Sequence, residues 1–154
     1  MYKLESLRAH LLANVPGLQP EGLHTFAKDG HIQSTAATGM GWVYHFTAEV
    51  ILTDYAGHAD QVVLPLLQWL HRHQPELFLS RELMAESVRF EVDVLNHQAY
   101  DFGFTLKLSE RVTVQQDGET AKVQHHGEPP LDPYEGIRQW QLFVLGELVQ
   151  TWKT

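Results

Sequence analysis

The fold is decided by the stretch Trp42-Val43-Tyr44-His45-Phe46-Thr47-Ala48-Glu49-Val50-Ile51-Leu52-Thr53. Apolar side chains occupy every even position from 42 to 52, and mostly polar ones stand between them. Successive side chains of a strand point to opposite faces of its sheet, so this period of two predicts a long strand with one buried face. The rest of the chain must supply further strands and a layer that covers that face.

Downstream of this strand the apolar period changes from two to three or four. Val63, Leu66, Leu67 and Leu70 recur at helical spacing and predict a helix from Asp60 to His73, with Asp60 as its N-cap. Pro65 lies deep in this segment, so we expect a late start or a bend there. Gln74-Pro75 ends the helix. The same spacing predicts helices over Lys3–Asn14 and Ser80–Glu86.

Several shorter segments alternate like the long strand and predict antiparallel neighbours for it. Asp-Gly dipeptides, which adopt the positive φ angles of tight turns, predict two of the hairpins. The predicted pairs are Leu23–Lys28 with His31–Thr35 around Asp29-Gly30, Val88–Val94 with Tyr100–Leu108, Val112–Val114 with Ala121–Val123 around Asp117-Gly118, and a C-terminal hairpin. The fold class is therefore α+β, a mostly antiparallel sheet with about two helices packed on one face, plus a C-terminal hairpin arm.

The length of 154 residues is typical of one domain, and no internal repeat suggests more. Within it we predict a core over residues 1–127, a Pro-rich connector over 128–136 and a C-terminal hairpin over 137–154. Three prolines in five positions make the connector stiff and extended.

Charge and composition exclude several function classes. The formal charge is −8 and no Lys/Arg cluster is present, so sequence-specific binding of nucleic acid is not expected. No apolar run is long enough to span a membrane, and the N-terminus does not have the pattern of a secretory signal, so we expect no membrane contact. The absence of Cys excludes disulfides and thiolate metal sites and fits the reducing cytoplasm.

Ten histidines are the most obvious lead to chemistry. The closest pairs are His71 with His73 and His125 with His126, and His58 or His31 could add a third ligand. A metal site needs three or four converging ligands, whereas these pairs point apart on a helix or a strand. We predict no metal and no cofactor, and a small His-using metal-dependent enzyme stays as an alternative.

The other candidates for catalysis are equally weak. Glu86, Glu91, Asp93 and Asp101 would lie near one another if their two strands pair, and they could serve as general acid and base. A row of charges on an edge strand equally protects it from aggregation. No serine lies in a nucleophile elbow and no Gly-rich loop precedes a helix. The sequence predicts no enzyme.

The C-terminal hairpin is apolar on both faces. Phe143 and Leu145 alternate with Trp140, Leu142 and Val144, a pattern that an isolated surface hairpin does not tolerate in water. One face should pack on the domain and the other on a neighbour, so we predict self-association.

At this point the chain resembles the GpR-type tail completion proteins of contractile-tailed temperate bacteriophages. The matching positions run in one order from residue 6 to residue 152. They are Ser6-Leu7-Arg8, Leu23, Phe26, Asp29-Gly30, Ile32, Val50, Thr53-Asp54, Val63, Pro65, Leu67, Trp69, Leu70, Gln74-Pro75, Phe90, Asp93, Asp101-Phe102, Leu106, Leu108, Glu110-Arg111, Glu128-Pro129-Pro130, Gly146-Glu147-Leu148-Val149 and Trp152.

The resemblance implies a structural protein with a tail-terminator-like fold. It would form a hexameric ring at the head-proximal end of the tail, stop tube polymerisation and dock the neck or head. Similar proteins occur in headless, R-pyocin-like bacteriocins. The implied partners are further copies, the tail tube protein and sheath, collar or neck proteins. Assembly would occur in the bacterial host cytoplasm, and DNA could pass through the ring. A monomeric neck adaptor remains the alternative.

We expect the exposed loops to make axial contacts and the strand edges and C-terminal hairpin to make lateral ones. The predicted interface residues are Met40, Trp42, Asp117, Gly118, Pro129, Pro130, Tyr134, Trp140, Phe143, Leu145 and Trp152.

Overall fold

The computed structural model describes residues 1–35, 39–94, 98–128, 139–144 and 146–153. Within these ranges the chain is an α+β fold dominated by antiparallel strands, as the sequence predicts. The elements are α1 (Tyr2–Asn14), β1 (Leu23–Ser34), β2 (Gly41–Tyr55), α2 (Asp60–His73), α3 (Arg81–Ala85), β3 (Val88–Val94), β4 (Tyr100–Asp117), β5 (Thr120–His126), β6 (Gln139–Val144) and β7 (Glu147–Lys153). Short 3₁₀ turns cover Pro20–Gly22 and Pro75–Phe78.

Five strands form one antiparallel sheet in the order β1-β2-β4-β3, with β5 also paired to β4. The strand predicted from the opening stretch is β2, which lies at the centre between β1 and β4. On its other side β4 pairs with β3 along residues 100–106 and with β5 along 111–117. β6 and β7 pair with each other in a separate two-stranded sheet.

The core lies between one face of the sheet and the helices α1 and α2. Even-numbered side chains are buried on this face from Phe46 to Leu52 in β2 and from Phe102 to Val112 in β4, as the period of two predicts. Against them pack the buried apolar stripes of α1 and α2. Their members are Leu7, Leu11, Val62, Leu66, Trp69 and Leu70. Helices therefore cover one face of the sheet, and the opposite face carries the intervening, largely polar side chains.

The predicted hairpin at Asp29-Gly30 is wrong. β1 runs without a break from Leu23 to Ser34, and its register against β2 shifts between Lys28 and His31. Asp29 has a φ of +50°, so the dipeptide adopts a positive φ in a β-bulge instead of reversing the chain. Because β2 continues to pair with β1 on both sides of the bulge, one long strand replaces two short ones.

The helical predictions need smaller corrections. α2 begins at Asp60, so the late start expected from Pro65 is wrong, and Ala59 rather than Asp60 occupies the N-cap position. Pro65 is the sixth residue of α2 and is buried. The helix ends at Gln74-Pro75 as predicted. Ser80 caps α3, with its side-chain oxygen accepting a hydrogen bond from the Leu83 backbone N–H at 3.2 Å.

Candidate functional site

Two of the predicted axial segments meet at one end of the sheet. The backbone N–H of Val114 donates to the carbonyl of Met40 at 2.9 Å, which joins the start of β2 to β4. Met40 itself is 71% exposed. β4 then continues to Asp117, four residues beyond the Gly41–Thr113 pair. At about 3.3 Å per residue, the hairpin tip therefore projects roughly 13 Å past the end of β2.

The β4–β5 hairpin closes at Asp117 and Gly118 as predicted. Asp117 pairs with Thr120, and Gly118 has a φ of +62°. The tip is polar and exposed, and Lys122 donates to the Asp117 carboxylate across it. The Gln116 side-chain amide donates to the Gly118 carbonyl at 3.0 Å. These local bonds give the tip a defined shape while it stays open to a partner.

Trp42 does not lie free at this end of the sheet. It pairs with buried Val112 on the helix-bearing face, and its ring contacts Tyr44 edge to face at a centroid distance of 6.1 Å. Its indole Nε1 is buried and has no hydrogen-bond partner among the described residues. Trp42 thus contributes mainly to the packing beneath the end of the sheet.

The remaining predicted interface residues belong to the C-terminal segment. Pro129, Pro130, Tyr134 and Leu145 lie outside the described residues. The backbone of the C-terminal hairpin, which we call the arm (139–144 and 146–153), brings the other three into register positions of one two-stranded sheet. Those three are Trp140, Trp152 and Phe143. Trp140 pairs with Trp152, and Phe143 pairs with Leu148.

The packing of one arm face on the domain stays a prediction, because most side chains of the arm lie outside the described residues. In the described part of the chain, β6 and β7 make their extended contacts only with each other. Leu148 of β7 is 51% exposed. A two-stranded sheet of this size is marginal in water. Among the residues that the structure describes, no third strand pairs with the arm.

The point at which the chain leaves the domain is held by a buried ion pair. Lys3 is 2% exposed, and its ammonium Nζ lies 2.8 Å from Glu128 Oε1 and donates to Gln74 Oε1 at 2.8 Å. The same Gln74 oxygen accepts a hydrogen bond from the Ser109 backbone N–H at 3.2 Å. Ser109 lies in the part of β4 between the residues that pair with β3 and those that pair with β5. The Lys3 backbone N–H donates to Glu110 Oε1 at 2.8 Å. This network ties α1, α2 and β4 to the residue that precedes Pro129.

An exposed apolar surface on β3 completes the geometry, and sequence reasoning missed it as a surface. Phe90, Val92 and Val94 pair with Phe104, Phe102 and Tyr100 of β4, and so lie on the helix-bearing face. Phe102 and Phe104 are buried, whereas Phe90 is 67% and Val94 71% exposed. The helices cover β4 but stop short of β3. We call these three residues the β3 patch.

The chain is similar in sequence to known phage tail proteins. A family model described as P2 phage tail completion protein R (GpR) matches residues 1–129. This chain is a member of that family. It is 33% identical over 154 residues to Tail completion protein R of Escherichia phage P2, and the alignment covers 99% of each chain. No solved structure matches the chain.

Two of the histidines in this GpR family member, His71 and His73, stack on aromatic neighbours. His71 stacks on Phe78 with ring centroids 3.8 Å apart, and His73 stacks on Trp69 at 4.7 Å, so the two point to different neighbours. No group of three or more His, Asp or Glu side chains in the described ranges is placed to hold a metal ion. Burial lowers the pKa of His73, and the charges of Arg72, Lys3 and His10 lower it further.

The acidic residues lie around a shallow hollow on the sheet face opposite the helices. Glu91, Asp93 and Asp101 line it, together with Gly103. Asp93 pairs directly with Asp101, whose Oδ1 accepts from the Asp54 backbone N–H at 2.9 Å. This GpR protein therefore presents these carboxylates on an open face, the arrangement of a solvated strand surface. Among the described residues, no helix has the length and apolar character needed to cross a bilayer.

Proposed function

We propose that this protein completes the phage tail as a structural component: it caps the head-proximal end of the tail tube as a hexameric ring, stops polymerisation and forms the docking face for neck or head. The single observation that carries the proposal is the whole-length relationship to Tail completion protein R of Escherichia phage P2. Family membership supports the structural tail completion role, and the ring and its termination mechanism extend that role.

Termination follows from the logic of head-to-tail contacts. A tube grows because each layer offers the next layer the surface that it has just used. A ring that binds the last layer through one face and offers a different surface on the other breaks this repetition. The protein therefore needs two dissimilar axial faces and a lateral contact that closes the ring.

The sheet end that carries Met40 and the Asp117-Gly118 tip is our candidate for one axial face. Its tip projects past the end of β2, and the side chains of Gln116 and Lys122 bond within the tip. We place the Pro-rich connector in the same class of contacts. The strand edges and the arm supply the lateral contacts, because a marginal two-stranded sheet gains stability when it packs on a neighbour.

Net charge gives the ring a further property. Six copies of a chain with charge −8 place about −48 charges around a channel. An acidic lining repels a phosphate backbone, so DNA can pass through without being held. The ring would touch DNA, where the particle carries any, without binding its sequence.

The proposal also places the protein among its partners. Its neighbours are further copies, the tail tube protein and sheath, collar or neck proteins, and assembly takes place in the bacterial host cytoplasm. The chain would act as one domain over residues 1–154, with the core, connector and arm as its parts.

The experiment that tests this is direct imaging of tails assembled with and without the protein. Overlong or frayed tubes in its absence support termination. Tails of normal length that cannot join heads would shift the role to docking and overturn termination.

A matched pair of variants then tests the axial face. Met40→Asp should give overlong tubes, whereas Leu64→Asp should give normal ones, since Leu64 is an apolar residue on α2 that is also largely exposed. Equal tube lengths with the two variants would contradict the axial assignment. Sedimentation of the free protein tests the ring, for which six copies of the 17.6 kDa chain give about 106 kDa.

A further inference from the structure

The arm and the β3 patch are two apolar β surfaces that one chain leaves uncovered. Phe90, Val92 and Val94 continue the buried apolar face of β4 onto an edge strand that no helix covers. The other edge of β3 has no paired strand in the described part of the chain. Exposed apolar surface and an open strand edge together are typical of a site for strand addition or sheet packing.

The arm has the complementary defect. In the described part of the chain its two strands pair with each other alone, and Leu148, near the start of β7, is half-exposed although it is apolar. In the sequence, apolar residues occupy both the odd and the even positions of β6, so both faces of the arm call for a packing partner. An arm of two strands needs a third layer or strand to be stable.

Within the described residues the β3 patch is exposed, and the chain leaves the sheet far from it. The chain leaves the sheet at His126, opposite Arg111, and is then held at Glu128 by Lys3. The patch lies opposite residues 100–104 of β4. At about 3.3 Å per residue it is roughly 23–36 Å farther along the sheet. The exit and the patch are thus at separate ends of β4.

We propose that the arm of each copy packs on the β3 patch of the neighbouring copy, with Leu148 against the surface formed by Phe90 and Val94. The inference rests on the ring of the proposed function and names its lateral contact. Each chain carries one arm and one patch, so the contact is heterologous and repeats from copy to copy. A single interface of this kind buries both the apolar surface of the arm and the β3 patch.

The natural chain has no Cys, so engineered thiols report this contact without background. Val94→Cys and Leu148→Cys chains are co-expressed in the host, and the assembled tails are treated with a short bis-maleimide. We expect a cross-linked dimer that contains one chain of each variant. Val123→Cys, at an exposed valine on β5, is the matched control for Val94→Cys and should give no dimer with Leu148→Cys.

Each other result overturns the proposal. Dimers of two Val94→Cys chains would show that patches meet each other. A chain carrying both substitutions that forms only an internal cross-link would show that the arm folds back on its own domain. No cross-link at all, or equal cross-linking at Val123, would mean that the patch does not receive the arm.

A second pair of variants connects the contact to assembly. Val94→Asp should reduce incorporation of the protein into tails, whereas Val123→Asp should not, with equal thermal unfolding of the two free proteins as the control for folding. The proposed function fails separately. If the cross-link forms but tails made without the protein are normal, the contact is supported and termination is rejected. If tails made without the protein are overlong but no cross-link forms, termination is supported and the contact is rejected.

Discussion

Replacing Lys3 with Met should destabilise the domain through the partners that it leaves behind. The Lys3 ammonium is buried and ion-paired with Glu128, whose side chain retains 19% exposure. Breaking a fully buried pair by removing one partner costs about 3–5 kcal/mol. Because Glu128 can regain water, we expect a smaller loss for Lys3→Met, about 2–3 kcal/mol, which lies at or just below the lower limit of that range. At 2–4 °C per kcal/mol for a domain of this size, the melting temperature should fall by about 4–12 °C.

A double-mutant cycle with Glu128→Gln isolates the pair. Glu128→Gln leaves the more deeply buried ammonium without its counter-charge, so it should cost at least as much as Lys3→Met. The double variant removes both charges and should be more stable than the sum of the two losses predicts, by more than about 1 kcal/mol. Urea unfolding of the four proteins measures the free energies. Additivity within about 0.5 kcal/mol would refute the reasoning.

Three further predictions use positions with internal controls. Phe104→Ala should cost about 3–5 kcal/mol of unfolding free energy and Phe90→Ala less than about 1, because only the first side chain of this directly paired couple is buried; urea unfolding compares them. Gly41→Ala should cost about 1–3 kcal/mol of unfolding free energy in the same assay, since its Cβ would lie 2.9 Å from a threonine hydroxyl and 3.1 Å from a backbone carbonyl. Gly39→Ala has open space around its Cβ and should change the unfolding free energy by less than about 0.5 kcal/mol. Burial lowers the pKa of His73 below its ordinary 6.5, so the unfolded chain binds more protons and stability falls as the pH drops below about 6.5; His73→Gln should flatten that fall between pH 7 and pH 5.

The elements that could be predicted are those whose pattern is local. The period of two in Trp42–Thr53 reports a strand with one buried face, and β2 is that strand. The change of period after Asp60 likewise locates α2. In both cases the side chains that define the pattern are the ones that enter the core, so periodicity and burial carry the same information.

Asp29-Gly30 shows where local information ends. A positive φ suits both a two-residue turn and a β-bulge, so the dipeptide alone does not separate them. The length of β2 favours the β-bulge over the turn. Its fifteen residues can pair with all of β1, and a reversal at Asp29 would leave half of that edge unpaired. Matching the length of the neighbouring strand would have favoured the bulge.

The candidate site was predictable only in part, for a related reason. Asp117 and Gly118 form a tight turn from their own sequence, so the exposed tip was predicted. The β3 patch was not, because Val88–Val94 alternates in the same way whether helices cover it or not, and coverage depends on where α1 and α2 pack. The Lys3–Glu128 pair joins residues 125 positions apart, which no spacing rule reaches.

In the proposed ring, the buried Lys3–Glu128 pair would affect closure through the arm. A heterologous contact closes into a ring only when the rotation between copies has the right value, and otherwise it propagates as a helix. Lys3 holds Glu128 at the start of the connector, so in the proposed ring it would restrict the directions from which the arm reaches a neighbour. Lys3→Met should therefore broaden the distribution of oligomers on assembled tails. Phe104→Ala, which weakens the domain at least as much without touching the exit, should lower yield but leave ring size unchanged. Equal broadening by the two variants, seen by imaging of isolated tail ends, would mean that stability alone governs closure.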